Sequence, residues 1–200
     1  NSNLYLLSAR LREVGCSVLP LGLCRDEPEA LSRQLAKGEE VDLLISTGGV
    51  SVGDRDYLRE VLLSQDFDTV FWKVAIKPGK PVLFGLLRGK PVLGLPANPA
   101  AAAATFELFV RPALLRLAGH TGVRGEVRKG RLAEAVIGGG DRQLFLWCRL
   151  EWVGDSYRVQ VSRRQGSGQN RSLQGANALL AVPTNVERLE AGAIVEVHLL

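Results

Sequence analysis

A short apolar run followed by closely spaced glycines places the strongest constraint on how this chain folds. Residues 41–46 read VDLLIS, a pattern typical of a strand buried on both faces of a sheet. The next residues read TGGVSVGDRDYL, and Gly48, Gly49 and Gly53 leave the backbone there without side chains. We therefore expect a buried strand that ends in a tight, glycine-rich turn just before a helix.

Apolar runs alternate with helical patterns through the first 117 residues. Apolar residues at helical spacing begin with Leu4, Leu7 and Leu11. Helices are predicted over residues 3–14, 27–37, 55–63 and 99–117. Strands are predicted over residues 16–23, 41–46, 69–76, 81–87 and 91–95. This alternation predicts an α/β fold, with a mostly parallel sheet and flanking helices.

The pattern changes after Gly119, where glycine-rich turns separate short strands and no long helical pattern follows. Strands are predicted over residues 126–137, 143–153, 156–162, 178–182 and 193–199. Short strands at such spacing predict a separate small all-β domain, a barrel or a sandwich, and we favour the barrel. The sequence thus predicts an α/β domain over residues 1–122 and a C-terminal β-barrel domain over residues 123–200.

Composition restricts the class of protein. The 200 residues are 46% apolar and 23% charged, as in a soluble globular protein, and the net charge of +4 favours anionic ligands. Aromatic residues make up only 6%, which disfavours a base-stacking nucleic-acid protein despite the pI of about 9.2. No apolar run is long enough to span a membrane, and no secretory signal is present, so we expect a cytoplasmic protein. Because the chain contains no methionine, we expect it to begin inside a longer reading frame.

The glycine-rich turn has the composition of an anion and metal site. Open α/β sheets bind ligands at the carboxyl ends of their strands, where Thr47 and Ser51 would add hydroxyl donors to the bare amides. Asp56 and Asp54 follow at the start of a helix, and two acids beside an anion are suited to holding Mg²⁺. An equally good structural interpretation of Asp54 alone is a helix cap.

Two further stretches have polar groups at predicted strand ends. In KPGK, the turn residues Pro78 and Gly79 bring Lys77 and Lys80 together, although such a turn on its own is more often a solvated surface feature. In GLPANP, Pro96 and Pro99 frame Asn98 before a helix, where Asn98 taken alone is best explained as a cap. Because all three stretches follow predicted strands, we expect them to meet at one sheet edge around a phosphate or oxyanion.

Taken together and in this order, STGGVSVGDRDY, FWKVAIKPGKP and GLPANP closely resemble the molybdopterin molybdenumtransferase family, which includes MoeA and the E domain of gephyrin. The similarity covers nearly the whole chain. The start, NSNLYLLSARLREVGCSVLPLGLCRDEPEAL, is similar to the beginning of the family's molybdopterin-binding domain, and the tail, with RRQGSGQNRSLQGANALLAVP and LEAGAIVEVHLL, is similar to its C-terminal β-barrel domain. The resemblance implies a Mg²⁺-dependent transferase that inserts molybdate into adenylated molybdopterin and releases AMP. It implies a homodimer and an upstream molybdopterin adenylyltransferase as a partner.

The resemblance also implies roles for individual residues. Asp56 would hold Mg²⁺, assisted by Asp54, and Lys77 and Lys80 would act catalytically beside the phosphate or the oxyanion. Residues implied to bind the cofactor are Thr47, Gly48, Gly49, Ser51, Gly53, Pro78, Gly79, Pro96, Asn98, Pro99, Ser167 and Ser172.

Some positions depart from the family pattern and favour an alternative. Ala97 replaces a glycine, Ala100 and Ala101 replace Val-Ser, and Trp147 stands where the family often has an arginine, with Arg149 two residues further on. A methyl group at position 97 is harmful only if the backbone there needs a positive φ. These departures favour a catalytically weak binding or scaffold module of the same fold.

Overall fold

The computed structural model describes residues 2–50, 57–123, 125–162 and 170–200, which divide into two compact units. The first unit contains residues 1–74 and 79–111, and the second contains residues 75–78 and 112–200. The predicted domain boundary at residue 122 stays a prediction. In the part of the chain that the structure describes, no helix is long and apolar enough to cross a bilayer.

The first unit is built around a mixed four-stranded sheet in the order β1-β5-β4-β2. Its strands are β1 (Leu44–Thr47), β2 (Phe67–Trp72), β4 (Leu83–Leu87) and β5 (Lys90–Leu95). Its helices are α1 (Ser2–Glu13), α2 (Pro28–Ala36), α3 (Tyr57–Leu63) and α4 (Pro99–Thr105). A π-helical segment, Phe106–Val110, continues α4 to the end of this unit, and α5 (Arg111–Leu117) follows, almost entirely in the second unit.

The prediction of a mostly parallel sheet is confirmed only for the pair β1 and β5. Strands β4 and β5 are antiparallel because Arg88 and Gly89 form a two-residue turn, with φ of 49° and 79°. Strands β2 and β4 are antiparallel as well. The predicted strand over residues 16–23 carries no regular secondary structure, and β1 is only partly buried because it lies at the end of the sheet order.

The predicted helices over residues 3–14 and 27–37 agree with α1 and α2, and the described part of the one over residues 55–63 is α3. The predicted helix over residues 99–117 is interrupted by the π-helical segment. Pro28 opens α2 and Pro99 opens α4, as expected for proline in a first helical turn. The core beneath the sheet contains Val50, Leu58, Leu62, Leu83 and Val92, all almost fully buried. This core fixes the positions from which the loops at the strand ends leave the sheet.

The second unit contains a closed five-stranded barrel, as the sequence predicts. The barrel strands are β6 (Val127–Leu132), β8 (Gln143–Val153), β9 (Ser156–Val161), β10 (Ala178–Val182) and β12 (Ile194–Leu199). They follow the order β10-β12-β6-β9-β8, and pairing of β10 with β8 closes the barrel. The short strand β3 (Ile76–Lys77) adds in parallel to β8, and β7 (Val136–Ile137) pairs with β11 (Arg188–Leu189).

Candidate functional site

Three connections leave the mixed sheet at the same edge. Thr47, the last residue of β1, pairs with Leu95, the last residue of β5. At this same end of the sheet Leu83 begins β4 beside Gly94, and Trp72 ends β2 beside Leu83. The glycine turn, the GLPANP turn and the loop that contains KPGKP therefore all begin at one edge. The third connects two antiparallel strands, β2 and β4.

The two glycines of the first turn have conformations that other residues rarely adopt. Gly48 and Gly49 have φ of 84° and 72°, and both are half-exposed. The Gly48 amide donates to the Leu95 carbonyl at 2.9 Å, which ties the turn to β5. A Cβ at Gly49 would lie 2.9 Å from the Cβ of Leu58, so a side chain would collide with α3. The turn thus needs glycine both for its conformation and for space.

A tryptophan holds the end of this turn. The indole Nε1 of Trp72 donates to the Val50 carbonyl at 3.1 Å, and the Val50 side chain is 1% exposed. A Cβ at Gly94 would come within 2.5 Å of Val50, so the two residues are in close contact. The turn is therefore fixed to both β2 and β5 just before residues 51–56.

Two cationic side chains lie over the Trp72 indole ring. The Arg59 guanidinium lies 4.4 Å and the Lys73 ammonium 3.9 Å from the ring centre of Trp72. Lys73 has a φ of 67°, which is unusual for a residue with a side chain. Neither cation has an ion-pair partner among the described residues. This part of the edge is accordingly rich in positive charge.

The GLPANP turn lies beside the glycine turn. A Cβ at Gly48 would be 3.5 Å from the Cβ of Ala97. Asn98 caps α4, because its Oδ1 accepts hydrogen bonds from the amides of Ala100 at 3.0 Å and Ala101 at 3.4 Å. Its side-chain oxygen is thus engaged in capping, as the structural interpretation predicts. Pro96 is buried before the cap and Pro99 follows it as the first residue of α4.

Alanine at position 97 causes no backbone strain. Ala97 is not among the residues with a positive φ, so its methyl group has no conformational penalty. The family glycine at this position is not required by the backbone of this chain. This removes one of the reasons for expecting weak activity.

The loop that contains KPGKP belongs partly to each unit. In the first unit, the Val74 amide donates to the Lys80 carbonyl at 2.9 Å, and Gly79 is buried with a φ of 115°. In the second unit, Lys77 ends β3, which pairs with β8, and Pro78 follows after a cis peptide bond. Both lysine side chains are exposed, and neither has an ion-pair partner among the described residues. Two unneutralised ammonium groups are therefore available for an anion.

Two barrel residues that the sequence analysis names, Ser172 and Trp147, are almost fully buried. Ser172 is 1% exposed, and its carbonyl accepts a hydrogen bond from the Ser162 hydroxyl at 3.0 Å. Trp147 is 2% exposed in β8. Arg149 is exposed and forms an ion pair with Glu151 at 2.6 Å, so its charge is partly neutralised. A contact between Ser172 and a ligand stays a prediction.

Several predicted site residues lie outside the described residues. These residues are Ser51, Gly53, Asp54, Asp56 and Ser167. Among the residues that are described, no three His, Cys, Asp or Glu side chains cluster as metal ligands. The magnesium site therefore stays a prediction on Asp54 and Asp56.

A cavity of about 330 Å³ lies at the opposite edge of the mixed sheet. Leu44 and Lys90, which begin β1 and β5, line it together with Leu35 and Leu87. It contains none of the predicted site residues, and its position at the amino ends of parallel strands is not where α/β sheets bind ligands. We place the candidate site at the edge with the three turns.

Sequence reasoning misses two residues that hold these turns. Asn3 of α1 donates to the Ala97 carbonyl at 2.7 Å, and Trp72 fixes Val50. Asn3 lies 94 residues away from its partner, so no local pattern connects the two. Trp72 immediately precedes Lys73 in FWK, and an aromatic residue next to a lysine shortly before KPGK is a usable signal.

Comparison with known proteins gives a consistent result. Residues 1–116 match the family described as "Probable molybdopterin binding domain", and residues 129–200 match the MoeA C-terminal region, domain IV. A molybdopterin molybdenumtransferase from Nostoc is 32% identical over 198 residues, which are 96% of this chain and 45% of the relative. One from Staphylococcus aureus is 30% identical over 203 residues, 100% of this chain and 48% of the relative.

The chain is also similar to solved structures. The molybdopterin biosynthesis MoeA protein from Pyrococcus horikosii superposes with a TM-score of 0.81 at 32% identity, covering 98% of this chain and 47% of that one. The chain therefore spans about half the length of the relatives that it matches.

Proposed function

Because this chain belongs to the family of molybdopterin binding domains, with a MoeA C-terminal region after it, we propose that it acts in molybdenum cofactor biosynthesis. In this proposal it inserts molybdate into adenylated molybdopterin and releases AMP. The single observation that supports it best is that the glycine turn, the GLPANP turn and the loop that contains KPGKP leave the mixed sheet at the same end of its strands, with the β1–β5 register aligning the first two.

The chemistry of this edge suits anionic substrates. Molybdate and the phosphates of adenylated molybdopterin are anions, and the described edge offers bare glycine amides and unpaired lysines. Catalysis would proceed by positioning the substrates and neutralising charge, since preorganised donors stabilise charge that develops during reaction. Lys77 and Lys80 would provide that neutralisation, and Thr47 would add a hydroxyl donor.

The proposed site would also bind a magnesium ion, held by two carboxylates. Asp56 and Asp54 would hold the ion, and oxygen ligands of this type are those that Mg²⁺ prefers. The ion would supply positive charge to the substrate oxyanions. A homodimer, a cytoplasmic location and a molybdopterin adenylyltransferase as upstream partner complete the proposal.

The experiment that tests this function is molybdate-dependent AMP release from adenylated molybdopterin. Asp56→Asn should abolish release while the circular dichroism spectrum and the unfolding midpoint stay unchanged. Asp42→Asn, a change at an exposed position before β1, serves as the matched control and should keep full activity. Full activity in Asp56→Asn would remove that residue from the mechanism.

A second function, a binding module without catalysis, is favoured by one observation in the barrel. Trp147 is buried where the family often has an arginine, and the nearby Arg149 is already paired with Glu151. Binding of molybdopterin without any AMP release would select this function. Release of AMP at a rate that depends on molybdate would exclude it.

A further inference from the structure

The amide of Asn3 is buried, and only one of its two polar atoms has a partner. The residue is 5% exposed, and its Nδ2 donates to the Ala97 carbonyl at 2.7 Å. Its Oδ1 is buried and has no hydrogen-bond partner among the described residues. Exchanging the two atoms would set oxygen against the Ala97 oxygen, so the hydrogen bond fixes the orientation of the amide.

The hydrogen bond from Asn3 reaches the turn that borders the candidate site. Ala97 packs beside Gly48, and the next residue, Asn98, caps α4. Helix α1 is held to the same helical segment a second time, because Arg10 lies 3.7 Å from Glu107. Helix α1 is thus fixed at two points. From this helix, Asn3 donates a hydrogen bond to the Ala97 carbonyl, which lies between the glycine turn and the α4 cap.

A buried acceptor without a donor is costly, and native proteins rarely keep one without a reason. The anions proposed for this site offer few donors, since molybdate and ionised phosphates mainly accept hydrogen bonds. A nitrogen heterocycle is different, because its ring amide and amine N–H groups donate. The chemistry of the unpaired Oδ1 is therefore complementary to the heterocyclic part of a substrate.

We infer that Asn3 is a binding and positioning residue: Nδ2 holds the Ala97 carbonyl, and Oδ1 accepts a hydrogen bond from an N–H group of the heterocycle of the bound substrate. This inference rests on the proposed function, because it assumes that the site takes molybdopterin. Two heterocycles are available in adenylated molybdopterin, the pterin and the adenine. Both present N–H donors, and separate probes distinguish them.

The test measures binding of molybdopterin and of AMP, each alone, by isothermal titration to wild type and Asn3→Ala. We expect the dissociation constant for one of the two probes to rise at least tenfold, and that probe identifies the heterocycle. Ser8→Ala, which removes another buried polar group of the same helix, should leave both constants unchanged. Unchanged constants in Asn3→Ala, equal weakening in Ser8→Ala, or a wild type that binds neither probe would overturn the inference.

Two further readouts measure how Asn3 positions the turn, apart from the binding that the titrations measure. Removing Asn3 deletes one hydrogen bond and one unpaired acceptor, so the melting midpoint of Asn3→Ala should stay within a few degrees of wild type. Amide hydrogen exchange at Ala100 and Ala101, the donors to the Asn98 cap, should accelerate at least tenfold in ligand-free Asn3→Ala. Asn3→Leu, which keeps the volume, should behave alike. A large fall in melting midpoint with unchanged affinity would show a structural role only.

The failure of this inference differs from a failure of the proposed function. Wild-type protein that binds a probe through Asn3 but releases no AMP would contradict molybdate insertion and support the inference. Protein that releases AMP normally after Asn3→Ala would contradict the inference and leave the proposed function in place.

Discussion

The indole nitrogen of Trp72 donates a hydrogen bond of 3.1 Å to the carbonyl oxygen of Val50. This contact joins the end of β2 to the turn that follows β1, two strands that are not neighbours in the sheet. It fixes the last described residue before the segment with the predicted metal ligands. The geometry of the candidate site therefore depends on side chains that do not themselves contact a substrate.

Replacing Trp72 by phenylalanine should weaken the glycine turn. The ring would remain for Arg59 and Lys73, but the Val50 carbonyl would lose its donor, at a cost of about 1 kcal/mol of unfolding free energy. Urea denaturation measures this change. Trp152→Phe, at an exposed position of β8, is the control and should cost less than half as much. Equal losses in both variants would show that the hydrogen bond does not stabilise the turn.

Alanine at Gly49 should be far more damaging than alanine at Gly15. Both glycines have a positive φ, so both variants incur conformational strain of about 1 kcal/mol. Only Gly49 also faces the Cβ of Leu58 at 2.9 Å, whereas nothing lies within 4 Å of a Cβ at Gly15. The unfolding free energies should therefore differ by at least 1 kcal/mol. A Gly49→Ala protein as stable as Gly15→Ala would refute close packing of the turn on α3.

Two substitutions of Asn98 separate the effect of losing the helix cap from the effect of adding a negative charge at the site. Asn98→Ala should lose about 1 kcal/mol of stability, because two amides of α4 lose their acceptor. Asn98→Asp keeps the cap and should keep the stability, yet it adds a negative charge beside an anion site. Of the two Asn98 variants, only Asn98→Asp should therefore combine normal stability with weaker binding of molybdopterin. Undiminished binding in Asn98→Asp would place the anion elsewhere.

Glu107 should make the stability depend on pH. Burial raises the pKa of its carboxyl, against the opposing charges of Arg10 and Arg111, which lower it. Because the folded pKa lies above the unfolded one, the stabilising contribution of Glu107 is present at low pH and is lost as the pH rises through the folded pKa. Glu107→Gln should therefore gain stability relative to wild type as the pH rises from about 4.5, the ordinary pKa of glutamate, through the raised pKa of folded Glu107.

The matched control for that change is Glu13→Gln. Glu13 pairs with the same Arg10 but is 59% exposed. Because the Glu13 charge adds to the raised pKa of Glu107, Glu13→Gln should reduce the pH dependence slightly, and by far less than Glu107→Gln. If Glu107→Gln became less stable than wild type as the pH rises, the two arginines would outweigh burial, and the assignment of the cause would be reversed.

The sequence predicts the helices and the closed barrel well, because periodic apolar residues and the prolines at helix starts are local signals. The direction of the strands in the first unit is predicted less well. Arg88 and Gly89 form a tight turn that makes β4 and β5 antiparallel, although the sequence has no Asn-Gly or Asp-Gly pair to mark it. The segment over residues 16–23 is apolar enough for a strand but forms none.

The candidate site could be predicted where its residues lie close together in the sequence. Thr47, Gly48 and Gly49 follow a strand, and Asn98 precedes a helix, so local patterns indicate their roles. Asn3 and Trp72 act on residues that are 94 and 22 positions away, and only the fold brings these pairs together. Positioning residues of this kind leave no spacing pattern in a single sequence.

Release of AMP from adenylated molybdopterin, measured with and without molybdate, tests the central claim most directly. Wild-type protein is expected to release AMP in a molybdate-dependent manner, and Lys80→Gln should slow that release at least tenfold without lowering the melting midpoint. Arg33→Gln, a substitution in α2, is the control and should keep the wild-type rate. Molybdopterin binding with no AMP release at any molybdate concentration would contradict the account.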